Sequence, residues 1–120
     1  MSKHILSVSY DPSLLSTREM LLSRRGYQVT SALGFTAALE ACQASYFDLL
    51  IMGHSIPQKD KLRLVAVFRE KCRAPILALQ RYGEPALPGV DARAYPDDVE
   101  ALLTTVQTIL KNPQTDQKKN

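Results

Sequence analysis

The 120 residues, 45% hydrophobic and 22% charged, have the size and composition of one soluble globular domain with a single core. No apolar run approaches the ~20 residues of a membrane-spanning helix. Met1-Ser2-Lys3-His4 leads straight into Ile5-Leu6-Ser7-Val8 without an apolar leader, so no membrane association and a cytoplasmic location are expected. The net charge of +3 is a weak argument for nucleic acid, because Lys111, Lys118 and Lys119 against Asp116 place +2 of it in the last ten residues.

Val8 closes a first strand, and Asp11-Pro12 opens a first helix, Asp being a favoured N-cap and Pro suiting the first helical position. Leu14, Leu15, Leu21 and Leu22 recur at a seven-residue interval as its apolar face. Arg18, Arg24 and Arg25 fall on or near the solvated side, and Gly26 ends the helix. Tyr27 to Ser31 alternates like a short strand. Phe35, Ala38, Leu39 and Cys42 then follow the i, i+3, i+4, i+7 rule of a second helix. Leu49 to Met52 is an apolar run of the kind buried on both faces of a sheet; it stops at Gly53, and Pro57 lies four residues on. Leu62, Val65, Phe68 and Cys72 mark a third helix running to about Arg73, and Pro75 to Leu79 is a fourth, unbroken apolar strand. Between Gln80 and Gly89 two prolines and two glycines interrupt any helical period, which predicts a loop. Val90 to Tyr95 supplies a short fifth strand. Asp97 and Glu100 have capping-box spacing ahead of the stripe Val99, Leu102, Leu103, Val106 and Leu110. The domain is read as 1–111, followed by a polar, disordered tail at 112–120.

Strands that alternate with helices imply a parallel sheet with right-handed crossovers and helices on both faces. Such sheets carry their functional sites at the carboxyl edge. The third strand enters that edge at Gly53, which has no side chain. Cys42 and Cys72 lie on different predicted helices. They could pair, but without a secretion signal they are expected to be small buried hydrophobes. With His4 and His54 the only histidines and no CxxC present, a zinc site is not expected.

In this order the residues resemble the receiver domain of two-component response regulators, over Lys3 to about Lys111. The resemblance rests on Ile5-Leu6-Ser7-Val8 with Asp11-Pro12-Ser13, on Gly26-Tyr27-Gln28-Val29 and on Ala37-Ala38-Leu39. It continues through Phe47-Asp48-Leu49-Leu50-Ile51-Met52 with Pro57, Ala74-Pro75-Ile76-Leu77-Ala78-Leu79, Gly89-Val90-Asp91-Ala92 and Tyr95-Pro96. It implies a flavodoxin-like α/β three-layer sandwich with a five-stranded parallel sheet in the order 2-1-3-4-5. It also implies phosphoryl transfer from a histidine kinase to an aspartate at the end of the third strand. That chemistry uses Mg²⁺ held by the aspartate and an acidic pair after the first strand, a Thr or Ser after the fourth, and a Lys before the last proline.

Carried over position by position, this sequence departs at each of these places. The acidic pair falls on Ser9 and Tyr10, the phosphoacceptor on Gly53, the Thr/Ser on Gln80 and the Lys on Tyr95. The aromatic of the fifth strand falls on Ala92 or Arg93. No phosphoacceptor, no catalytic residue and no Mg²⁺ are expected, and the chain reads as a degenerate pseudo-receiver. The helix between the fourth and fifth strands is missing or reduced to a loop. One face of the sheet is then thinly covered, and Tyr82, Leu87 and Tyr95 are expected to line an apolar interaction surface.

Asp11 is the only carboxylate near the acidic site, and capping explains it; Asp48 lies at the opposite edge. His54 reads as a loop residue rather than a phosphohistidine or general base. Tyr95-Pro96 is a candidate cis bond. Lys59, Lys61, Arg63, Arg69, Lys71 and Arg73, against Asp60 and Glu70, read as a solvated helix face more than as a surface for an acidic partner. The expected function is a signalling and protein-interaction module in a phosphorelay, not an enzyme. Its partner is expected to be a histidine kinase or another regulator, or a second copy of the chain as a homodimer. The alternatives are phosphorylation at a displaced acceptor such as Asp11 or His54, and a small ligand in the vacated pocket around Ser9, Gly53 and Gln80.

Overall fold

The structure, a computed structural model, describes residues 2–111; the segment 112–120, read above as a disordered tail, lies outside the described residues. Three strands rich in Ile, Leu and Val form the middle of the sheet: β1 (His4–Ser9), β3 (Leu49–Met52) and β4 (Ile76–Leu79). Both faces of these strands are covered, so nearly every residue in them is buried. β2 (Gln28–Leu33) and β5 (Ala92–Ala94) flank them with more exposed side chains. All neighbours are parallel in the order β2-β1-β3-β4-β5, with Val8 opposite Met52, Met52 opposite Ala78 and Leu79 opposite Ala94.

The two-residue period of a strand divides the core in two. Leu6, Val8, Leu50, Met52, Ile76 and Ala78 pack with α2 (Phe35–Ala44) and α3 (Gln58–Val67). Ile5, Leu49, Ile51, Leu77 and Leu79 pack with Leu22 of α1 (Pro12–Arg24) and with α4 (Val99–Lys111). The predicted three-layer α/β architecture is therefore present.

Several local expectations change. On α1 the buried stripe is Leu15, Arg18 and Leu22, so Arg18 faces inward rather than toward solvent. Val65 and Phe68 are buried as predicted, but α3 also buries Lys61 and Leu64 and leaves Leu62 44% exposed. Its end relaxes into a π-helical turn over Phe68–Cys72, closed by Arg73 N–H donating to Phe68 O at 2.9 Å. The cap of α4 is Asp98, whose Oδ1 accepts from Ala101 N, one residue later than the capping-box reading. The Tyr95–Pro96 bond is trans, as is every other peptide bond among the described residues. Cys42 and Cys72 form a disulfide with their Cα atoms 5.6 Å apart, because α2 and the last turn of α3 lie side by side. Treating the two as separate core residues missed that adjacency.

Between β4 and β5 there is no helix, as expected, yet the face beneath is not bare. Leu87 is only 3% exposed and sits in the same cluster as Leu64, Val65 and Phe68. It is a core residue, not part of an exposed apolar surface. The loop can lie this close because Gly89 adopts φ +87° and a β-carbon there would stand 2.8 Å from Val65 Cγ1. A single leucine thus plugs the gap that a helix would otherwise cover.

Candidate functional site

The carboxyl edge gathers Ser9 and Tyr10 after β1, Gly53 to Ser55 after β3, Gln80 after β4 and Tyr95 after β5. Hydroxyl groups join the first two loops. Ser9 Oγ lies 3.2 Å from Ser55 Oγ and donates to Asp11 O, and Ser55 Oγ accepts from Tyr10 N at 3.1 Å. Tyr10 turns across to α3 and donates its phenolic hydrogen to Asp60 Oδ2 at 2.8 Å. Burial, then that hydrogen bond to the carboxylate, pushes the phenol up to about 12. Asp11 Oδ1 accepts from Ser13 N and Leu14 N, so its carboxylate is engaged in capping α1.

Arg18 occupies the centre. Its side chain is 5% exposed, and its Nη1 donates to Ser7 Oγ at 2.9 Å and to Val8 O at 3.3 Å. A β-carbon at Gly53 would lie 3.0 Å from Arg18 Nη2 and 3.1 Å from Val8 O. The guanidinium therefore stands against the position from which an acceptor side chain would start. None of the ion pairs among the described residues includes Arg18. Burial alone pulls its pKa down to about 10, which leaves it a cation at neutral pH. Arg18 shares one helical stripe with Leu15 and Leu22, but its charge assigned it to solvent in the sequence, and only its partners on β1 account for its burial.

His54 is half-buried with Nδ1 buried and unpaired, and burial, then Arg81 and Arg18, hold its pKa below the usual 6.5. Gln80 is 5% exposed; its Nε2 donates to Pro85 O at 2.9 Å, and its Oε1 is buried without a donor. Tyr95 is 49% exposed and packs its ring on Tyr82, centroids 5.4 Å apart. Ser9, Gly53 and Gln80 therefore share the edge, but Arg18 fills the space beside Gly53 where a ligand pocket had been expected.

The donor set does not fit Mg²⁺. That ion requires near-octahedral oxygen ligands, usually with one or two carboxylates. Here the three positions that would hold it carry a hydroxyl, a phenol bonded to Asp60, and a glycine beside a buried cation. Among the described residues no three His, Cys, Asp or Glu side chains stand together as a metal site.

The basic flank of α3 stays exposed except at Lys61, which is buried and pairs with Glu84 at 3.3 Å. Arg63 lies 4.2 Å above the Phe35 ring, and Arg69 pairs with Asp91 at 3.1 Å, whose Oδ2 also accepts from Ile76 N. The reading of the six cations as a solvated face is corrected at Lys61 alone.

The strand order and the helix placement match solved receiver domains. The chain has the receiver fold. A chemotaxis protein, CheY4, from Vibrio cholerae is 25% identical with a TM-score of 0.76, covering 91% of this chain and 99% of that one. A two-component response regulator from Clostridium difficile is 21% identical with a TM-score of 0.83, over 92% and 98% of the two chains. The receiver domain of a sensor histidine kinase from Pseudomonas aeruginosa is 22% identical with a TM-score of 0.76, over 93% and 100%. It was solved with a magnesium ion coordinated in its active-site cleft. No family model and no curated protein matches the sequence.

Proposed function

We propose that this receiver fold is a protein-interaction module of response-regulator type, a pseudo-receiver whose output does not depend on aspartyl phosphorylation or on Mg²⁺. The supporting observation is the buried Arg18 guanidinium set against Gly53, with no carboxylate at positions 9, 10 or 53. A receiver site balances a divalent cation and an arriving phosphoryl group with several carboxylates. Here a fixed monocation already sits in the site, and neutral hydroxyl bonds join the loops that an ionic cluster would otherwise organise. The module acts in the cytoplasm through its surface, its partner being a histidine kinase or another regulator of the same signalling class, and it is not a catalyst. The displaced acceptors carry little weight: the Asp11 carboxylate accepts from two backbone N–H groups, and His54 is half-buried with its Nδ1 enclosed.

The test is a backbone amide NMR titration of the full chain with Mg²⁺ and beryllofluoride, a mimic of aspartyl phosphate. No saturable shift is expected at Ser9, Tyr10, Gly53 or Gln80. Saturable shifts at these residues would overturn the proposal.

A further inference from the structure

The loop that replaces the helix leaves a second feature on the other side of Gln80. A cavity of about 600 Å³ opens between the end of β4, the edge strand β5 and α4, with Gln80, Arg81, Tyr82, Arg93, Tyr95 and Thr105 among its walls. That volume falls within the range of small-molecule sites, about 300–1,000 Å³. A second hollow borders it across Arg81, Tyr82 and Tyr95.

The walls carry three kinds of chemistry. Positive charge comes from Arg81 and Arg93, neither of which belongs to an ion pair among the described residues, while Glu84, which also lines the cavity, is neutralised by its pair with Lys61. An aromatic platform comes from Tyr82, 85% exposed, tilted 56° against Tyr95. A large exposed ring costs the free protein apolar contact with water, and its face is open for stacking. The third element is the buried Gln80 Oε1, which has no donor although Gln80 is nine-tenths buried. Buried carbonyl oxygens of this kind are nearly always satisfied.

We propose that this cavity is a binding site for a planar, N–H-bearing aromatic molecule with a phosphate or carboxylate group. The ring stacks on Tyr82 and Tyr95, the anion is held between Arg81 and Arg93, and an amino N–H carried on the ring answers Gln80 Oε1. Guanidinium groups hold both kinds of oxyanion in bidentate fashion. A purine nucleotide and an aminobenzoate both carry the full set of groups. The site goes beyond the phosphorylation-independent role and does not rest on it, since Arg18 and Gly53 are not among its walls.

The experiment is an amide NMR titration of the full chain with AMP, with anthranilate, and with adenosine and inorganic phosphate as controls. Saturable shifts centred on Arg93, Ala94 and Tyr95 are expected with AMP or anthranilate, and which of them binds more tightly identifies the anion. Adenosine and inorganic phosphate should each bind at least tenfold more weakly. Tyr82→Ala and Arg93→Gln alter exposed side chains, so both variants should keep the wild-type spectrum. Each should weaken binding by about tenfold, the usual effect of losing a stacking ring or one charged partner. No saturable shift with either probe would overturn the proposal. So would equal affinity for phosphate alone, or binding unchanged in both variants.

Discussion

Arg18→Met removes the buried charge while keeping the length and apolar stem of the side chain. Burial lowers the guanidinium pKa from its usual value to about 10, a difference that disfavours the charged form in the fold by about 3 kcal/mol at neutral pH. Between about 10 and the usual guanidinium value the native state binds fewer protons than the unfolded one, so this group adds stability as pH rises there and the full cost is present at pH 7. Against the gain from removing that cost stands the loss of two hydrogen bonds. Val8 O keeps the Gly53 N–H at 2.9 Å, so only Ser7 Oγ is left without its partner, costing about 1 kcal/mol. The net expectation is a variant more stable by about 2 kcal/mol, or about 8 °C in Tm for a domain of this size. Urea and thermal unfolding followed by circular dichroism at pH 7 read it directly. Gly53→Asp completes a double-mutant cycle. Its β-carbon meets the movable end of Arg18 at 3.0 Å, so the new carboxylate should pair with the guanidinium. The same change in the Arg18→Met background buries a carboxylate alone, and the coupling between the two should be about 1–3 kcal/mol. Destabilisation by Arg18→Met of 2 kcal/mol or more, or a coupling near zero, would refute the reasoning that Arg18 is an uncompensated cation beside Gly53.

Tyr10→Phe should cost about 1 kcal/mol, since it breaks the bond to Asp60 at a partly exposed site, and in a pH titration it should remove the tyrosine that ionises near 12. His54 is held neutral in the fold, so stability should fall as pH drops below about 6.5 toward its lowered native pKa; His54→Asn should flatten that acid limb, and an unchanged limb would assign it to other groups. The Cys42–Cys72 bridge closes a loop with a sequence separation of 30, and its reduction should destabilise by about 2–4 kcal/mol. Mass spectrometry after alkylation without reductant should show both thiols protected; two alkylated cysteines would contradict the pairing.

Most of the fold was legible because β3 and β4 at its centre are pure apolar runs and the helices between the strands have enough residues to show a period. The errors arose where one side chain could satisfy two patterns. On α1, four leucines at seven-residue spacing suggested a broad apolar face, and charge alone sent Arg18 outward. Its burial depends on Ser7 and Val8, residues on another element that the local pattern cannot register. Leu62 was counted as core because it is leucine, whereas Lys61 reaches Glu84 from the buried side, a partner 23 residues away. Leu87 sat in a stretch without periodicity, so nothing local distinguished a plug from an exposed residue. The site positions were legible by counting, since Gly53 and Gln80 are fixed by the ends of β3 and β4. What occupies the space beside Gly53 was not.

These corrections bear on one another. Beside Gly53 stands the Arg18 guanidinium, and the loops after β1 and β3 are joined by Ser9 and Ser55, with the Tyr10–Asp60 bond reaching α3. Along the same edge Leu87 is drawn down into the core and the loop from Arg81 to Glu84 lies across the end of β4. With Arg18 buried beside Gly53 and a cavity open on the other side of Gln80, the exposed chemistry of the carboxyl edge lies about one strand over, at β4–β5. A partner or ligand that meets the protein at its carboxyl edge therefore meets Arg81, Tyr82, Arg93 and Tyr95, not Gly53.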